Sequence, residues 1–162
     1  MTPLELLISK LLDREGGIAD VGDGKGVTRF GQTDGWLAQF SLPTPTDRTS
    51  AAVNYLKWLD LVGLTPIVAV GDGLSDILLD VAVMSGHRQA IMALQSILHV
   101  AADGVMGSNT LAALAGQDRR TLTKAMICWD MEFEGRIIVN NPARAKDAAG
   151  WASRLAQHVR NL

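Results

Sequence analysis

Apolar residues at helical spacing begin in the first turn of this chain and constrain its fold more than any other feature. They form one stripe of Leu4, Leu7, Ile8, Leu11 and Leu12. The segment Thr2-Pro3-Leu4-Glu5 has the pattern of a capping box with proline at the first helical position. Glu15 continues the stripe, and Gly16-Gly17 then ends the helix. The spacing leaves two positions open for the Glu15 side chain, one pointing into the protein and one in solvent at a fraying helix end.

The same periodicity recurs along most of the chain and predicts a mainly α protein of about seven helices. The residues between Ile77 and Met84 are apolar on nearly all sides, which is typical of a central helix. Ile67–Val70 is too short for its pattern to distinguish an extended segment from a helix. We expect at most a small β-ribbon, near residues 18–31.

A glycine-rich segment follows the first helix and reads EGGIADVGDGKGVTRFGQT from Glu15 to Thr33. Such a loop can place carboxylates at the mouth of a cleft while its backbone approaches a ligand closely. Glu15 together with Asp23 or Asp20 is a plausible carboxylate pair for cleaving a glycosidic bond. An inward-facing glutamate suits the acid, and an aspartate in an open loop suits the base. Thr28 can hold a water molecule or a sugar hydroxyl.

Several classes of site are disfavoured by composition. Gly22 and Gly24 stand where a calcium-binding loop needs ligands. The three histidines lack the HExxH spacing of a zinc hydrolase, so we expect neither a metal nor another cofactor. The net charge is −2 without a block of like charge, which argues against duplex nucleic acid as partner. Cys128 is the only cysteine, and we expect it to be a buried, inert thiol.

The targeting signals in the sequence are equally sparse. No run of eighteen apolar residues is present, so no stable membrane insertion is expected. The N-terminus lacks the pattern of a signal peptide. We therefore expect the protein to be made in a cytoplasm. If it acts elsewhere, we expect another protein to provide its exit route.

Two groups of motifs resemble a known family. Glu15-Gly16-Gly17, followed by Gly26-Val27-Thr28-Arg29-Phe30-Gly31-Gln32-Thr33, is similar to the signature of glycoside hydrolase family 108, the muramidases of phage endolysins and related bacterial exporters. The C-terminal half resembles the peptidoglycan-binding region that accompanies this family. The residues that carry this second resemblance are Asp80–Gly86, Leu94-Gln95, Asp103–Leu111 and Gly150–Arg154.

The resemblance implies a lysozyme-like fold and hydrolysis of the β-1,4 bond between N-acetylmuramic acid and N-acetylglucosamine. The family's essential acid corresponds to Glu15. The loop is about one residue shorter than the family pattern, and Lys25 replaces a glycine. Asp23 is the best match for the second carboxylate, with Asp20 or Glu132 as alternatives. The remaining residues expected to contact substrate are Lys25, Arg29, Phe30, Gln32 and Asp20.

The resemblance also implies an organisation and a set of partners. We expect a catalytic lobe at 1–45 and a helical lobe at 46–162, packed as one globular unit. The expected partner is bacterial peptidoglycan, and the protein is expected to be a monomer. It is expected to act in the periplasm after release by a holin or another export partner. A lytic transglycosylase acting on the same bond, and a non-catalytic wall-binding module, are the alternative functions. The tryptophans can stack on sugars, but at helical spacing most are expected to be in the core or half-buried.

Overall fold

The computed structural model describes residues 1–20 and 27–162 and has a mainly α fold. Within these residues there are nine α-helices, one short 3-10 helix and a three-stranded antiparallel sheet. The predicted fold class is therefore confirmed, including the small ribbon. Contacts divide the chain into two compact units, Met1–Val70 and Gly71–Leu162. This partition differs from the predicted lobes 1–45 and 46–162, which stay a prediction.

The first unit combines four helices with the sheet. Its helices are α1 (Pro3–Glu15), α2 (Asp34–Gln39), α3 (Arg48–Leu61) and α4 (Thr65–Val68). Its strands are β1 (Ile18–Asp20), β2 (Val27–Arg29) and β3 (Gln32–Thr33), in the order β1-β2-β3. Helix α4 includes Ile67 and Val68 of the apolar run Ile67–Val70, whose pattern did not distinguish a strand from a helix.

Helix α1 forms where the sequence predicts it, because both ends carry suitable residues. The Thr2 hydroxyl accepts from the Glu5 backbone N–H (3.2 Å), and Glu5 Oε2 accepts from the Thr2 N–H (2.7 Å). These bonds satisfy N–H groups that a helix start otherwise leaves unpaired. At the other end, Gly16 takes a φ of +74°, a left-handed conformation that glycine adopts without strain. The predicted stripe is buried at Leu7, Ile8, Leu11 and Leu12.

The second unit is entirely helical. It contains α5 (Gly73–Ser85), α6 (His87–Ile97), α7 (Ser108–Leu114), α8 (Arg119–Asn140), a 3-10 helix (Pro142–Asp147) and α9 (Ala148–Arg160). Helix α5 is buried from Leu74 through Ala82, which confirms its predicted central position. It packs against α6, α8 and α9.

Buried charges join α5, α8 and α9. Asp80 is 1% exposed and pairs with Arg154 (2.9 Å, Nη1 to Oδ1) and with His158 (3.2 Å, Nε2 to Oδ2). The other His158 ring nitrogen lies 3.5 Å from Asp76 Oδ2. Asp130 on α8 is also buried, next to this group. Because a buried charge is costly without partners, these ion pairs and hydrogen bonds favour the packing of α9 against α5.

The prediction for Cys128 is wrong, because this side chain is exposed. Met126, Ile127 and Asp130 form the buried face of α8, and Cys128 lies on a different face of the helix. All four tryptophans are buried or half-buried, as expected from their helical spacing. Trp58 and Trp151 are buried, whereas Trp36 and Trp129 are half-buried. No helix among the described residues is both long enough and apolar enough to cross a bilayer.

Candidate functional sites

Glu15 is the last residue of α1 and its side chain is half-buried. Of the two positions that the sequence leaves open, the structure has the inward one. The carboxylate lies against the backbone of Gly31, in the turn between β2 and β3. A Cβ atom at Gly31 would be only 2.8 Å from Glu15 Oε2 and 2.9 Å from Glu15 Cγ. The missing side chain at Gly31 therefore makes the space that the Glu15 carboxylate occupies.

Tyr55 of α3 closes the other side of this space. The same Cβ position at Gly31 would lie 2.7 Å from the Tyr55 hydroxyl oxygen. That hydroxyl donates to the carbonyl of Phe30 (3.0 Å) and so fixes the turn. Burial raises the pKa of Tyr55, and the negative charge of Glu15 raises it further. Tyr55 is therefore a neutral hydrogen-bond donor next to the glutamate.

The β-ribbon is attached to the end of α1 by backbone contacts. The Phe30 N–H donates to the Gly17 carbonyl (3.0 Å), directly after the helix. Phe30 has a φ of +54°, an uncommon conformation for a residue with a side chain, which the turn imposes. Thr28 lies in the middle strand, opposite Ala19 on one side and Thr33 on the other. The first unit thus brings Glu15 and the strand that carries Thr28 into one lobe.

The side chain of Gln32 lies inside the first unit, where it makes hydrogen bonds to α3. Its side chain is fully buried; its Nε2 donates to the Ala51 carbonyl (2.9 Å), and its Oε1 accepts from Asn54 Nδ2 (2.9 Å). Asn54 also donates to the Pro43 carbonyl (2.8 Å). These bonds join β3 to α3 and leave Gln32 no exposed surface. Its predicted contact with substrate stays a prediction, and its visible effect is to hold the ribbon in place.

The other predicted substrate-binding residues are only partly described. Arg29 pairs with Asp34 (3.0 Å), and a quarter of its side chain remains exposed. Phe30 is half-buried. Asp20 ends β1 opposite Val27. Asp23 and Lys25 lie outside the described residues, so the choice of Asp23 as second carboxylate stays a prediction.

Aromatic rings form a cluster within the first unit. Trp36 lies 5.5 Å from Phe40, 5.6 Å from Tyr55 and 5.6 Å from Trp58, measured between ring centroids. Tyr55 and Trp58 are buried, while Trp36 and Phe40 keep exposed surface. Trp36 is the first-unit tryptophan with surface available for stacking on a sugar ring.

Glu132, the other alternative second carboxylate, belongs to the second unit. It is highly exposed on α8, 3.7 Å from Arg136 one turn along the helix. This is the geometry of an ordinary surface ion pair. Its prediction as a catalytic group stays untested.

The second unit contains a polar cleft of about 420 Å³ at the Asp103–Gly107 loop. Gln95 of α6, which is buried, organises this loop. Its Nε2 donates to Asp103 Oδ1 (2.8 Å), and its Oε1 accepts from the Gly104 N–H (2.9 Å). The Thr110 hydroxyl is 3.0 Å from the same Nε2. Gly104 has a φ of +73°, and the Arg88 carbonyl would be 3.3 Å from a Cβ placed there.

The mouth of this cleft is polar and partly charged. A hydrogen bond from the Val105 N–H, and then the one from Gln95, lowers the pKa of Asp103, so this carboxylate is ionised near neutral pH. Ser108 and Asn109 are exposed beside it, and Val105 is 57% exposed. The arrangement offers hydroxyl, amide, carboxylate and apolar contacts on one surface, a combination suited to a sugar or peptide ligand.

The C-terminal half matches a family model. Residues 89–156 match the family described as "Predicted Peptidoglycan domain". The match covers less than half of the chain and includes the whole Gln95–Thr110 cleft. It associates this part of the protein with peptidoglycan, in agreement with the predicted partner.

One solved structure is similar over nearly the whole chain. The structure of Brucella abortus SagA aligns with a TM-score of 0.73 and 23% sequence identity. The alignment covers 96% of this chain and 90% of that one. At this identity the likeness shows a common fold. A search of curated proteins finds no match.

The contacts of Tyr55 and Gly31 with Glu15 were not predicted from the sequence. Tyr55 has the spacing of a core residue on α3, and nothing in its neighbourhood indicates contact with a glutamate forty positions earlier. Gly31 belongs to the motif, but its close approach to Glu15 depends on how the ribbon folds back onto α1. Both contacts are long-range, and neither helical nor strand periodicity contains that information.

Proposed function

We propose that this protein is a peptidoglycan hydrolase of the N-acetylmuramidase type, with Glu15 as its general acid. The observation that carries the proposal is the setting of Glu15. Its carboxylate is half-buried at the end of α1, against a glycine turn and next to a neutral tyrosine hydroxyl. A shielded glutamate beside an accessible ribbon suits proton donation to a leaving oxygen. The motif resemblance around Glu15 supports the same role.

In the proposed reaction, Glu15 donates its proton to the oxygen of the glycosidic bond. The bond between this oxygen and the anomeric carbon of N-acetylmuramic acid breaks, and positive charge develops on that carbon. A second carboxylate, proposed to be Asp23, activates a water molecule or stabilises the cationic centre. Thr28 positions the water or the 2-acetamido group. Addition of water to the anomeric carbon produces a new reducing end.

Mass spectrometry of digested sacculi tests the proposal most informatively. Purified protein is incubated with peptidoglycan sacculi, and the soluble fragments are analysed with and without borohydride reduction. The expected products carry reducing N-acetylmuramic ends. Fragments with 1,6-anhydro ends would assign the chain to the lytic transglycosylases. The absence of soluble product under conditions where a control muramidase digests the sacculi would contradict an enzymatic function.

A second candidate function is non-catalytic binding of the wall by the second unit. The observation that favours it is the match of residues 89–156 to a peptidoglycan domain, which contains the polar cleft. Co-sedimentation with sacculi separates binding from cleavage. Glu15→Gln protein that sediments with sacculi but releases no fragments has a working binding surface and a disabled acid. Wild-type protein that behaves in the same way would favour the binding module over the hydrolase.

A further inference from the structure

The buried amide of Gln95 lines the polar cleft of about 420 Å³ and has more acceptors beside it than hydrogens to donate. Its Oε1 accepts from the Gly104 N–H (2.9 Å), and because a backbone N–H can only donate, this bond fixes the orientation of the amide. Three oxygens surround its Nε2, which carries two hydrogens. They are Asp103 Oδ1 at 2.8 Å, the Val105 carbonyl at 3.0 Å and Thr110 Oγ1 at 3.0 Å.

Thr110 differs from the other two acceptors because its hydroxyl also has a hydrogen to donate. The amide nitrogen of Gln95 cannot accept that hydrogen. Within residues 1–20 and 27–162, the contact with Gln95 is the single hydrogen bond of the Thr110 side chain, so the hydroxyl hydrogen has no acceptor there. Thr110 is 3% exposed and lines the cleft. A buried donor without an acceptor is uncommon in proteins, and at the wall of a cleft a bound ligand can provide the acceptor.

Two further side chains of α7 keep their hydrogen-bonding groups available at this cleft. Ser108 and Asn109 are exposed and line it, and neither side chain makes a hydrogen bond with the described part of the chain. The Asn109 amide offers both a donor and an acceptor, next in the chain to the Thr110 hydroxyl. Val100 and Val105 add apolar surface to the same lining. The cleft therefore combines unused donors and acceptors with a small apolar surface.

The charges around the cleft balance each other. Hydrogen bonds from the Val105 N–H and from Gln95, together with the positive charge of Arg88, lower the pKa of Asp103. Arg88 Nη2 donates to the Asp103 carbonyl (2.9 Å), so its guanidinium lies beside the ionised carboxylate. Among the described residues, Asp103 is the one charged residue that lines the cleft. Because a carboxylate and a nearby guanidinium largely cancel, the cleft favours a neutral polar ligand over an ion.

We propose that this cleft binds the 2-acetamido group of an N-acetylated amino sugar in the glycan strand of peptidoglycan. The acetamido carbonyl accepts the hydrogen of the Thr110 hydroxyl, its N–H donates to the Asn109 amide oxygen, and its methyl group packs on the valines. The group is neutral, in keeping with the charge balance. A stem peptide also offers amides, but together with ionised groups for which the balanced lining provides no partner. The inference rests on the proposed wall binding by the second unit and specifies which component of the wall is recognised.

Titrations of isotope-labelled, full-length Glu15→Gln protein, followed by NMR, test this inference. The substitution prevents turnover by the proposed acid, and the backbone amide signals separate the cleft from the first unit. The probe is a tetramer of β-1,4-linked N-acetylglucosamine. Its matched control is cellotetraose, which has hydroxyl groups in place of the acetamido groups. The N-acetylated tetramer is expected to shift the signals of Gly104, Val105 and Asn109, and to bind at the cleft about tenfold more tightly than cellotetraose.

Substitutions at Thr110 separate recognition from structure. Thr110→Val keeps the shape but removes the hydroxyl, and both hydrogens of the Gln95 amide keep an acceptor. We expect about fivefold weaker binding at the cleft with an unchanged melting temperature. Thr110→Ser keeps the hydroxyl and is expected to retain binding. Thr123→Val is the matched control, because Thr123 is equally buried (3%) but lies on α8, outside the lining of the cleft, and its binding should be unchanged. If Thr110→Val misfolds, Asn109→Ala is expected to weaken binding by a similar factor.

Three results would overturn the inference: no shift of the cleft signals by the N-acetylated tetramer, equal binding of cellotetraose, or unchanged binding by a folded Thr110→Val variant. Shifts at the cleft caused by a synthetic stem tetrapeptide, and not by the sugar, would assign the cleft to the peptide of the wall instead. Wild-type protein that sediments with sacculi and releases reducing ends, yet shows no sugar binding at the cleft, would refute this inference and leave the proposed functions intact. Sugar binding at the cleft without release of reducing ends would support the inference and contradict the proposed hydrolysis.

Discussion

The carboxylate of Glu15 fills the space that a side chain at Gly31 would need. A Cβ atom at Gly31 would lie 2.8 Å from Glu15 Oε2, and the backbone there has a φ of +79°. The glycine is therefore required twice, for its backbone conformation and for the room it leaves. The position of the proposed acid depends on a turn that lies sixteen residues further along the chain.

This relationship predicts that Gly31→Ala lowers both stability and hydrolysis. The added methyl group must displace Glu15 or Tyr55, and alanine is strained at this φ, so we expect a loss of about 1–3 kcal/mol in the free energy of unfolding. The rate of reducing-end release from sacculi should fall by more than the loss of folded protein alone explains. Gly35→Ala is the matched control, because nothing lies within 4 Å of a Cβ there and its backbone is helical. Normal turnover by a folded Gly31→Ala variant would contradict the role of this turn.

Tyr55→Phe tests the support of the same turn. The variant keeps the ring but loses the hydrogen bond to the Phe30 carbonyl, at a cost of about 1 kcal/mol. Because the turn then holds Glu15 less firmly, turnover should fall severalfold while sedimentation with sacculi is unchanged. Denaturant unfolding and reducing-end release measure the two effects separately. A variant with full stability and full activity would show that the hydroxyl positions nothing.

The polar cleft of the second unit gives a prediction on wall binding. Asn109→Ala removes an exposed amide at the cleft and should weaken co-sedimentation with sacculi without lowering the melting temperature. Gln95→Ala leaves the Gly104 N–H without its acceptor and should cost about 1–3 kcal/mol in stability as well. Gln157→Ala, an exposed change on α9, is the control for both. Unchanged sedimentation of the Asn109 and Gln95 variants would place wall binding elsewhere.

The buried network predicts that the second unit loses stability as the pH rises from about 5 to 9. Burial lowers the pKa of His158, but hydrogen bonds and charges from Asp76 and Asp80 outweigh it and raise the pKa to about 9. The stabilisation is therefore complete below the unfolded value of 6.5 and is lost as the pH passes 9. Burial and the charge of Asp80 raise the pKa of Asp130 to about 6 from 3.8. Ionisation of Asp130 is thus penalised in the folded state, and its effect has the same sign.

Urea unfolding of the full chain, with hydrogen exchange of α9 peptides as the readout for the second unit, measures this dependence. The free energy of unfolding should be higher at pH 6 than at pH 9, by at least ~1 kcal/mol. Asp72 has the opposite effect on the pH dependence of stability, and it does so only at low pH. Although its burial opposes the effect, bonds from Arg119 and Ser75 lower its pKa to about 2, so its contribution is lost below pH 4. His158→Gln should flatten the slope between pH 6 and 9. A stability that rises over this interval in the wild type would contradict the network.

Local patterns in the sequence predicted the helices well, because their signals are local. The capping box at Thr2 and Glu5 and the buried stripe of α1 need only residues within a few turns of each other. Thr33 likewise caps α2 by accepting from the Trp36 N–H (3.2 Å). Cys128 was misassigned because a mixed helix such as α8 has no clear apolar face from which to read burial.

The site was less predictable for a physical reason. Its acid was identified from a motif, but the groups that hold that acid come from α3 and the β2–β3 turn. Gln32 illustrates the difficulty, since its position in the motif suggested a substrate contact and its buried bonds to Ala51 and Asn54 depend on the packing of α3 against the ribbon. In the buried charged cluster of the second unit, Arg154 and His158 of α9 contact Asp80 of α5, which lies 74 and 78 positions earlier in the chain. Such pairings follow from tertiary packing and have no local signature.

The most direct test of the central claim is the rate of reducing-end release from sacculi by Glu15→Gln, compared with the wild type and with Asp13→Asn. The amide keeps the size of the side chain but has no acidic proton to transfer to the leaving oxygen, so the rate should fall at least ~100-fold. Asp13 is an exposed carboxylate on the same helix, and its variant should retain the wild-type rate. Equal melting temperatures would show that the fold is intact. Wild-type turnover by a folded Glu15→Gln protein would contradict the assignment of Glu15 as the acid.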